Sequence, residues 1–199
     1  MTWVKVCGLR TATDVNAAVE AGADAVGFVL AESPRRVSVE TAGRLGEGVP
    51  VHRVLVTVDA LPEQLLRWVG ISGATGVQPH GKHAVAAGGA AGAKGLLVLH
   101  PVPVRGLIDL GVVPDDRIPL LDTYAPLQHG GTGAAFDWSL LQGLDRDFVL
   151  AGGLGPANVA AAIARIHPWG VDASSGLESG PGIKDPDLIK AFVREAKTV

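Results

Sequence analysis

Short apolar stretches and segments of helical period alternate along the whole chain. Eight stretches are apolar nearly throughout and of strand length, which is typical of parallel strands covered on both faces. These predicted strands are Trp3–Cys7, Ala25–Leu30, Val51–Val58, Gly76–Gln78, Gly95–Leu99, Ile118–Leu121, Phe148–Ala151 and Gly170–Ala173. Because helical segments separate most of them, the predicted order is strand, helix, strand, helix from end to end.

Residues that begin or end helices occur between these stretches. Thr13 is suited to cap the first helix and Gly22 to end it. Pro156 suits the first turn of a later helix, since proline is tolerated where no backbone donor is needed. Asp185 directly precedes Pro186, which predicts the start of the last helix there.

One segment breaks this regularity. Residues 82–94 read KHAVAAGGAAGAK, and the small residues around Gly88 and Gly89 have poor helix propensity. This segment is predicted to form either a short helix or a loop.

The number of strands separates the two architectures that such a pattern allows. A doubly wound open sheet normally uses five or six strands, whereas eight strand–helix units suit a (β/α)8 barrel. Eight units in 199 residues give about 25 residues each, near the lower limit for that fold. The sequence therefore predicts an α/β fold: a single TIM-barrel domain over residues 1–199, of near-minimal size, with a short or irregular fourth helix region.

Composition narrows the function classes. With 47% apolar and 19% charged residues, the chain can bury a sizeable core. It has 17 basic and 20 acidic residues, so no basic surface points to nucleic acid. The single cysteine excludes an intrachain disulfide. No apolar run approaches the length of a membrane span and no leader pattern stands at the start, so we expect a cytoplasmic protein without a membrane partner.

In a barrel of this kind, chemistry is located at the carboxyl ends of the strands. Residues at those ends are therefore the candidates for a site. They are Cys7, the loop 31–37, residues 78–80, His100, Asp122, Gly152 with Gly153, and Ser174 to Gly176.

Cys7 and Asp122 are the candidates for proton transfer. A thiol and a carboxyl at one barrel mouth would make a general acid/base pair. The alternatives are that Cys7 is a small buried hydrophobic residue and that Asp122 is a capping aspartate. Position alone leaves both interpretations open.

Two glycine-rich loops follow the last two strands. Residues 149–156 read VLAGGLGP and residues 170–176 read GVDASSG. Small residues let backbone N–H groups approach an anion, and these two loops of a barrel frequently bind phosphate. The alternative is that the glycines only make tight turns.

Other candidates carry charge or metal-binding side chains. In SPRRV at 33–37, a guanidinium could bind a carboxylate through two hydrogen bonds, unless both arginines are simply solvated. His80 and His83 are spaced as HxxH, but no cysteine or carboxylate lies near them in sequence, so we expect no metal site.

Taken in order, these residues resemble the phosphoribosylanthranilate isomerase family. The resemblance covers nearly the whole chain. It rests on VKVCGL at 4–9, AGADAVGFVL at 21–30, SPRRVS at 33–38, VQPHG at 77–81, LLDT at 120–123, GGTGAAFDW at 130–138, LAGGLGPANV at 150–159 and VDASSGLESGPGIKD at 171–185.

The resemblance implies a role for each matching residue. Cys7 is implied as the general base, Asp122 as the general acid, and Arg35 rather than Arg36 as the group that binds the anthranilate carboxylate. The phosphate loops are implied to contain Gly152, Gly153, Ser174, Ser175 and Gly176. The residues implied to line the rest of the site are Gln78, His80, Asp172, Gly131 and Gly133.

The implied reaction is an Amadori rearrangement of N-(5'-phosphoribosyl)anthranilate, an aminoaldose, to the 1-deoxyribulose 5-phosphate ketose, in tryptophan biosynthesis. It needs no cofactor and no metal. The implied partner is the small phosphosugar substrate, and the family includes both monomers and homodimers.

Two residues depart from the family pattern. Pro79 stands where leucine is usual, and because proline lacks a donor, strand four is expected to end there. Ala134 replaces the usual lysine after GGTG. These changes leave two other functions open: a phosphosugar-binding barrel without turnover, and a related aminoaldose-phosphate isomerase of histidine biosynthesis.

Overall fold

Eight parallel strands close into a barrel in the computed structural model, which describes residues 1–104, 110–122, 141 and 144–199. Neighbours in sequence are neighbours in the barrel, and β8 closes it by pairing with β1. The strands are β1 Trp3–Cys7, β2 Ala25–Val29, β3 His52–Val58, β4 Gly76–His80, β5 Leu97–Pro103, β6 Ile118–Asp122, β7 Val149–Ala151 and β8 Gly170–Ala173. The predicted TIM barrel is thus confirmed, with small differences at the strand ends.

Six α-helices lie in the described part of the chain, together with shorter elements. The helices are α1 Ala12–Glu20, α2 Val39–Gly46, α3 Pro62–Ser72, α4 Ala84–Gly92, α5 Val159–Ile166 and α6 Pro186–Thr198. Two 3-10 turns, Leu110–Val112 and Ser175–Leu177, follow β5 and β8. A two-stranded antiparallel hairpin, β9 Glu178–Gly180 and β10 Ile183–Lys184, precedes α6.

The start of α1 corrects one prediction. Thr11, not Thr13, caps this helix, because Thr11 has extended backbone angles and its side chain accepts a hydrogen bond from the Asp14 amide. Thr13 already lies inside the first turn. The predicted end is confirmed, since the helix stops at Glu20 and Gly22 follows with a positive φ of 92°.

The two later helices begin close to their predicted starts. The carboxylate of Asp185 accepts from the amides of Asp187 and Leu188, so it caps α6 with Pro186 as the first helical residue, as predicted. Pro156 lies in the turn before α5, which starts only at Val159.

The glycine-rich fourth segment forms a helix of nine residues, so the short-helix alternative is the one found. The guanidinium of the buried Arg117 explains its composition. A Cβ at Gly88 would come within 3.2 Å of Arg117 Nη1, and one at Gly89 within 3.0 Å of Nη2. Arg117 also donates to the carbonyl of Val85 at 2.9 Å. Glycines at these positions leave room for a side chain from the loop before β6.

The prediction that strand four ends at Pro79 is wrong. Pairing of β4 with β3 continues through Pro79 to Val58↔His80, and the His80 carbonyl accepts from the Asp59 amide at 2.9 Å. Pairing with β5 ends earlier, at Val77↔Val98. Successive residues of a parallel strand form their backbone hydrogen bonds with the neighbouring strands on alternate sides. The missing donor of Pro79 therefore faces the β5 side, where the paired region has already ended.

Alternation along β1 separates the outer core from the barrel interior. Val4 and Val6 pack in the apolar layer that includes Phe192 of α6. Because successive side chains of a strand point to opposite faces, Lys5 and Cys7 point into the barrel. This placement puts a charged side chain and the only thiol of the chain on the same interior column.

An ion pair lies at the opposite, amino-terminal end of the barrel. Lys197 of α6 donates to Asp24 Oδ2 at 2.6 Å and to the Thr2 carbonyl at 3.0 Å. The same carboxylate oxygen accepts from the Val4 amide at 2.7 Å. These contacts attach the last helix to the start of β1.

Candidate active site

A cavity opens at each end of the barrel, and only one lies beside the predicted chemistry. One, of about 520 Å³, is at the amino-terminal end and is lined by Trp3, Asp24 and Arg53 among others. The other, about 450 Å³, lies at the carboxyl ends of β4 to β6 and includes His80, Asp122 and mainly apolar neighbours. Because the candidate acid lies in the second cavity, we take the carboxyl end as the functional end.

A buried hydrogen-bonded network lies next to Cys7. The Lys5 ammonium donates to Gln78 Oε1 and to Asp172 Oδ2, both at 2.9 Å. The Lys5 side chain is 0% exposed and that of Asp172 is 8% exposed. A buried cation is costly unless it is paired and hydrogen-bonded, and this one is both. The network brings strands β1, β4 and β8 together below the barrel mouth.

The charges around Cys7 oppose one another. Burial raises the pKa of the Cys7 thiol, Lys5 works against that rise, Asp172 adds to it and Lys184 lowers it again, for a net increase. Burial acts to lower the pKa of Lys5, but Asp172 and Cys7 outweigh it and the pKa is raised. Lys5 is therefore a permanent cation, whereas Cys7 rests as a thiol at neutral pH.

Asp122 ends β6 at the same mouth and is suited to hold a proton. Burial raises the pKa of the Asp122 carboxyl, Asp172 raises it further, and Lys5 only partly offsets both. A carboxyl with a raised pKa can donate a proton where an ordinary one is fully ionised. Asp122 and Cys7 thus share the electrostatic field of one ion pair, Lys5 with Asp172.

Two histidines in the mouth are neutral at physiological pH. Burial, Lys5 and His100 lower the pKa of His80 to about 4. Burial, Arg117 and Arg146 lower the pKa of His100. His80 Nε2 lies 3.1 Å from Gln78 Nε2, so Gln78 links His80 to the ammonium of Lys5.

Arg35 lies across the mouth from Asp122 and is already bound by a carboxylate. Its Nε donates to Glu178 Oε1 at 2.6 Å and its Nη2 to Oε2 at 2.8 Å. A Cβ on Gly8 would lie 3.3 Å from the Arg35 Cβ and 3.0 Å from Ser174 Oγ. The glycine after Cys7 therefore lets Arg35 approach the thiol strand, with Nη1 as the nitrogen that Glu178 does not use. Arg36 instead pairs with Glu32 on the surface.

Glu178 joins the loop of Arg35 to the β9–β10 hairpin. It accepts from Lys184 Nζ at 2.7 Å and from the Gly182 amide at 3.0 Å, in addition to Arg35. Burial alone would raise the pKa of Glu178, but hydrogen bonds from Arg35, Lys184 and Gly182 bring it down to about 2. Arg35 is thus held in place by a permanent anion.

The two glycine-rich loops after β7 and β8 contact each other. Gly152 and Gly153 have φ values of 89° and 65°, which require glycine. Asn158 donates to the Gly153 carbonyl at 3.0 Å and accepts from the Gly155 amide at 2.9 Å, which sets the loop shape. A Cβ on Gly155 would lie 3.2 Å from the Gly176 carbonyl.

Ser174 is tied to the thiol strand. Its hydroxyl donates to the Cys7 carbonyl at 3.1 Å, and its carbonyl accepts from Lys184 at 2.8 Å. Ser175 begins the 3-10 turn that follows. The predicted phosphate loops, the thiol and the Arg35 loop are therefore adjacent.

Gly131 and Gly133, with Ala134, lie outside the described residues. Within the described ranges, no group of three or more His, Cys, Asp or Glu side chains could hold a metal ion. No helix of the described chain is long and apolar enough to cross a membrane.

Sequence reasoning missed three charged residues of this site. Lys5 has a readable signal, because a lysine inside an apolar strand and two residues before Cys7 must share its face. Glu178 is 143 residues from Arg35, and no local pattern connects them. Lys184 lies in the same hairpin as Glu178 and carries no signal of its own.

The comparison with known proteins now decides the family. The family model described as N-(5'phosphoribosyl)anthranilate (PRA) isomerase matches residues 4–195. The chain belongs to this family. The chain is 44% identical to the N-(5'-phosphoribosyl)anthranilate isomerase of Geobacter sp. (strain M21) over 205 residues, 99% of this chain and 98% of that protein. The resemblance seen in the sequence is confirmed.

Solved structures agree with the sequence relatives. The crystal structure of phosphoribosyl anthranilate isomerase from Thermotoga maritima matches with a TM-score of 0.90 and 40% identity, over 100% of both chains. A structure of the isomerase in complex with reduced 1-(o-carboxyphenylamino)-1-deoxyribulose 5-phosphate matches with a TM-score of 0.85 and 37% identity, again over 100% of both chains. Family membership therefore rests on sequence and fold together.

Proposed function

We propose that Cys7 and Asp122 perform the two proton transfers of an Amadori rearrangement in this chain. Through its family, the chain is an isomerase of tryptophan biosynthesis. Its substrate is N-(5'-phosphoribosyl)anthranilate and its product is the corresponding 1-deoxyribulose 5-phosphate. The observation that supports the two roles is the pair of titrating groups in one field, a carboxyl with a raised pKa and a thiol on the same strand as a buried cation.

Asp122 acts first, as the general acid. It donates its proton to the ribose ring oxygen, the C1–O bond breaks, and the anilino nitrogen becomes the cation of an open Schiff base. The raised pKa of the Asp122 carboxyl, caused by burial and Asp172, supports this role because it increases the share of the carboxyl that carries a proton.

Cys7 acts second, as the general base. The new iminium cation acidifies the C2–H bond. The Cys7 thiol releases its own proton to solvent water, which the nearby cations favour, and the resulting thiolate removes the proton from C2. The electrons left at C2 form the C1=C2 double bond of an enolamine. Return of one proton to C1 and loss of the hydroxyl proton at C2 give the ketone, so the product has the same atoms as the substrate.

The substrate carries two anions, and the mouth offers a group for each. Arg35 is proposed to bind the anthranilate carboxylate through Nη1 while Glu178 retains Nε and Nη2. The phosphate is proposed to bind at Gly152, Gly153, Ser174, Ser175 and Gly176. Gln78, His80 and Asp172 then line the sugar between them.

Further expectations complete this proposal. We propose that residues 1–199 act as one barrel domain in the cytoplasm, as a monomer or homodimer whose partner is the phosphosugar. No nucleic acid, membrane or cofactor is part of the proposal. Gly131 and Gly133 are proposed to complete the site.

The wild-type protein tests this function in a fluorescence assay. Phosphoribosylanthranilate is generated in place from anthranilate, in buffer with EDTA, and its fluorescence is followed. The expected result is decay well above the uncatalysed rate, and a loss of about 10²–10⁴ in turnover for Asp122→Asn. Near-normal turnover of that variant would remove the acid role.

The same assay separates the two alternative functions. A binding barrel without turnover would bind a reduced product analogue in calorimetry but leave the fluorescence unchanged. A histidine-pathway isomerase would leave phosphoribosylanthranilate unchanged and convert its own aminoaldose substrate. Family membership favours neither alternative.

A further inference from the structure

Lys5 is a fully buried cation in the interior column that leads to Cys7. Its side chain is 0% exposed, and it stands two residues before Cys7 on β1, so both side chains point into the barrel. Opposite them, β2 carries Gly27, which pairs with Cys7. A Cβ there would lie 2.9 Å from Cys7 Sγ and 3.1 Å from Lys5 Cε. The absent side chain leaves the thiol and the lysine stem in one shared space.

The Lys5 ammonium has one donor more than its two hydrogen-bonded acceptors use. A lysine ammonium has three N–H donors. Gln78 Oε1 and Asp172 Oδ2 take two of them, at 2.9 Å each. Cys7 lies two residues further along the same interior column and contributes to the raised pKa of Lys5. The two fixed acceptors hold the ammonium in the interior column that Cys7 shares.

We infer that Lys5 is a positioning residue for Cys7, and that its ammonium stabilises the thiolate through which Cys7 acts as base. This inference deepens the proposed function and rests on it for its role in turnover. Asp172 has the opposite effect on the thiolate, because it is an anion in the same field. The ion pair therefore sets the basicity of Cys7 by the balance of its two members.

If the Lys5–Asp172 ion pair had only a structural role, a different effect of its removal would be expected. Such a pair would stabilise the barrel, and removing either member would leave a buried charge, with the same consequence for both. If Lys5 and Asp172 act on the thiolate, the two removals must change its titration in opposite directions. That difference in sign can be measured without turnover.

Because Cys7 is the only cysteine of the chain, alkylation of thiols reports on the titration of this residue alone. We propose to follow the rate of alkylation by iodoacetamide as a function of pH, with mass spectrometry as the readout. Lys5→Met should shift the titration to higher pH and Asp172→Asn to lower pH. At a pH below the thiol pKa, each unit by which that pKa shifts changes the thiolate fraction about tenfold. Lys184 of β10 also acts to lower the pKa of Cys7, and it is unchanged in both variants.

Lys197→Met is the matched control. It also removes a lysine from an ion pair, that with Asp24, but at the other end of the barrel. Its thiol titration should equal that of the wild type. Lys5→Arg keeps the charge and should restore part of the wild-type titration.

The outcomes are distinct. Opposite shifts in Lys5→Met and Asp172→Asn support the inference, while equal shifts or none overturn it. If Lys5→Met does not fold, the double variant Lys5→Met/Asp172→Asn lacks both buried charges. Its thiol should titrate at higher pH than that of Asp172→Asn, because the ammonium is absent, and a thiol pKa at or below that of Asp172→Asn overturns the inference.

Turnover provides a second readout. Lys5→Met should lower kcat about 10- to 100-fold with KM changed less than threefold. If the two variants shift the thiol titration in opposite directions but the wild type shows no turnover, the effect of Lys5 on the thiolate stands and the proposed function is rejected.

Discussion

Replacing Glu178 by glutamine tests the idea that a buried anion holds Arg35 in place. Glu178 is only 5% exposed in its side chain and accepts from Arg35, Lys184 and Gly182. Glutamine keeps one acceptor oxygen but turns an –NH2 group toward two cations. The pKa of Glu178 lies at about 2, against an ordinary 4.5.

This pKa difference sets the expected magnitude and its pH dependence. The shift corresponds to about 3 kcal/mol. Screening at Arg35, whose side chain is 24% exposed, reduces it to about 2 kcal/mol. Because the folded-state pKa is lowered, the stabilisation is fully present above pH 4.5 and is lost as the pH falls toward 2. Urea unfolding should show Glu178→Gln about 2 kcal/mol less stable at pH 7, with a smaller difference at pH 3.5.

The same loop offers a matched control. Arg36 pairs with Glu32 at 2.9 Å, but these side chains are 58% and 91% exposed. Glu32→Gln should therefore change the free energy of unfolding by no more than about 0.5 kcal/mol. Equal losses for the two glutamine variants, or a Glu178→Gln difference that does not depend on pH, would refute the reasoning.

Further predictions concern activity. Arg35→Ala should raise KM at least about tenfold, while Arg36→Ala should change it little. Steady-state kinetics with the reverse order would show that Arg36, and not Arg35, binds the carboxylate. Gly27→Ala should displace the Cys7 thiol and lower kcat about 10- to 100-fold; unchanged kcat would show that the space beside Sγ is not needed. The profile of kcat/KM against pH should be bell-shaped, because turnover needs Cys7 without its proton and Asp122 with its proton: the rate falls on the acid side as the thiolate is protonated and on the alkaline side as the carboxyl is ionised. A profile that rises with pH to a plateau and has no alkaline limb would count against Asp122.

The strands were predictable because burial on both faces leaves a local pattern. All eight apolar stretches became strands, and Cys7 and Asp122 end β1 and β6 as expected. Pro79 was misjudged, because its effect depends on which neighbouring strand still pairs at that position. The cap of α1 was misplaced by two residues, since Thr11 and Thr13 have equal capping chemistry and only the backbone angles distinguish them.

The electrostatics of the site could not be predicted in the same way. Glu178 and Arg35 meet across 143 residues. The helix with Gly88 and Gly89 is explained by Arg117, which comes from a different loop. Such contacts depend on how the barrel closes, and the periodicity of one segment contains no information about them.

The most direct test of the central claim is the turnover of Cys7→Ala beside the wild type. Both proteins are given phosphoribosylanthranilate formed in place, and the decay of its fluorescence is compared at equal concentration. The account predicts that the wild type converts the substrate rapidly and that Cys7→Ala loses about 10²–10⁴ in kcat. A Cys7→Ala protein that turns over within threefold of the wild type would contradict the claim that this thiol removes the C2 proton.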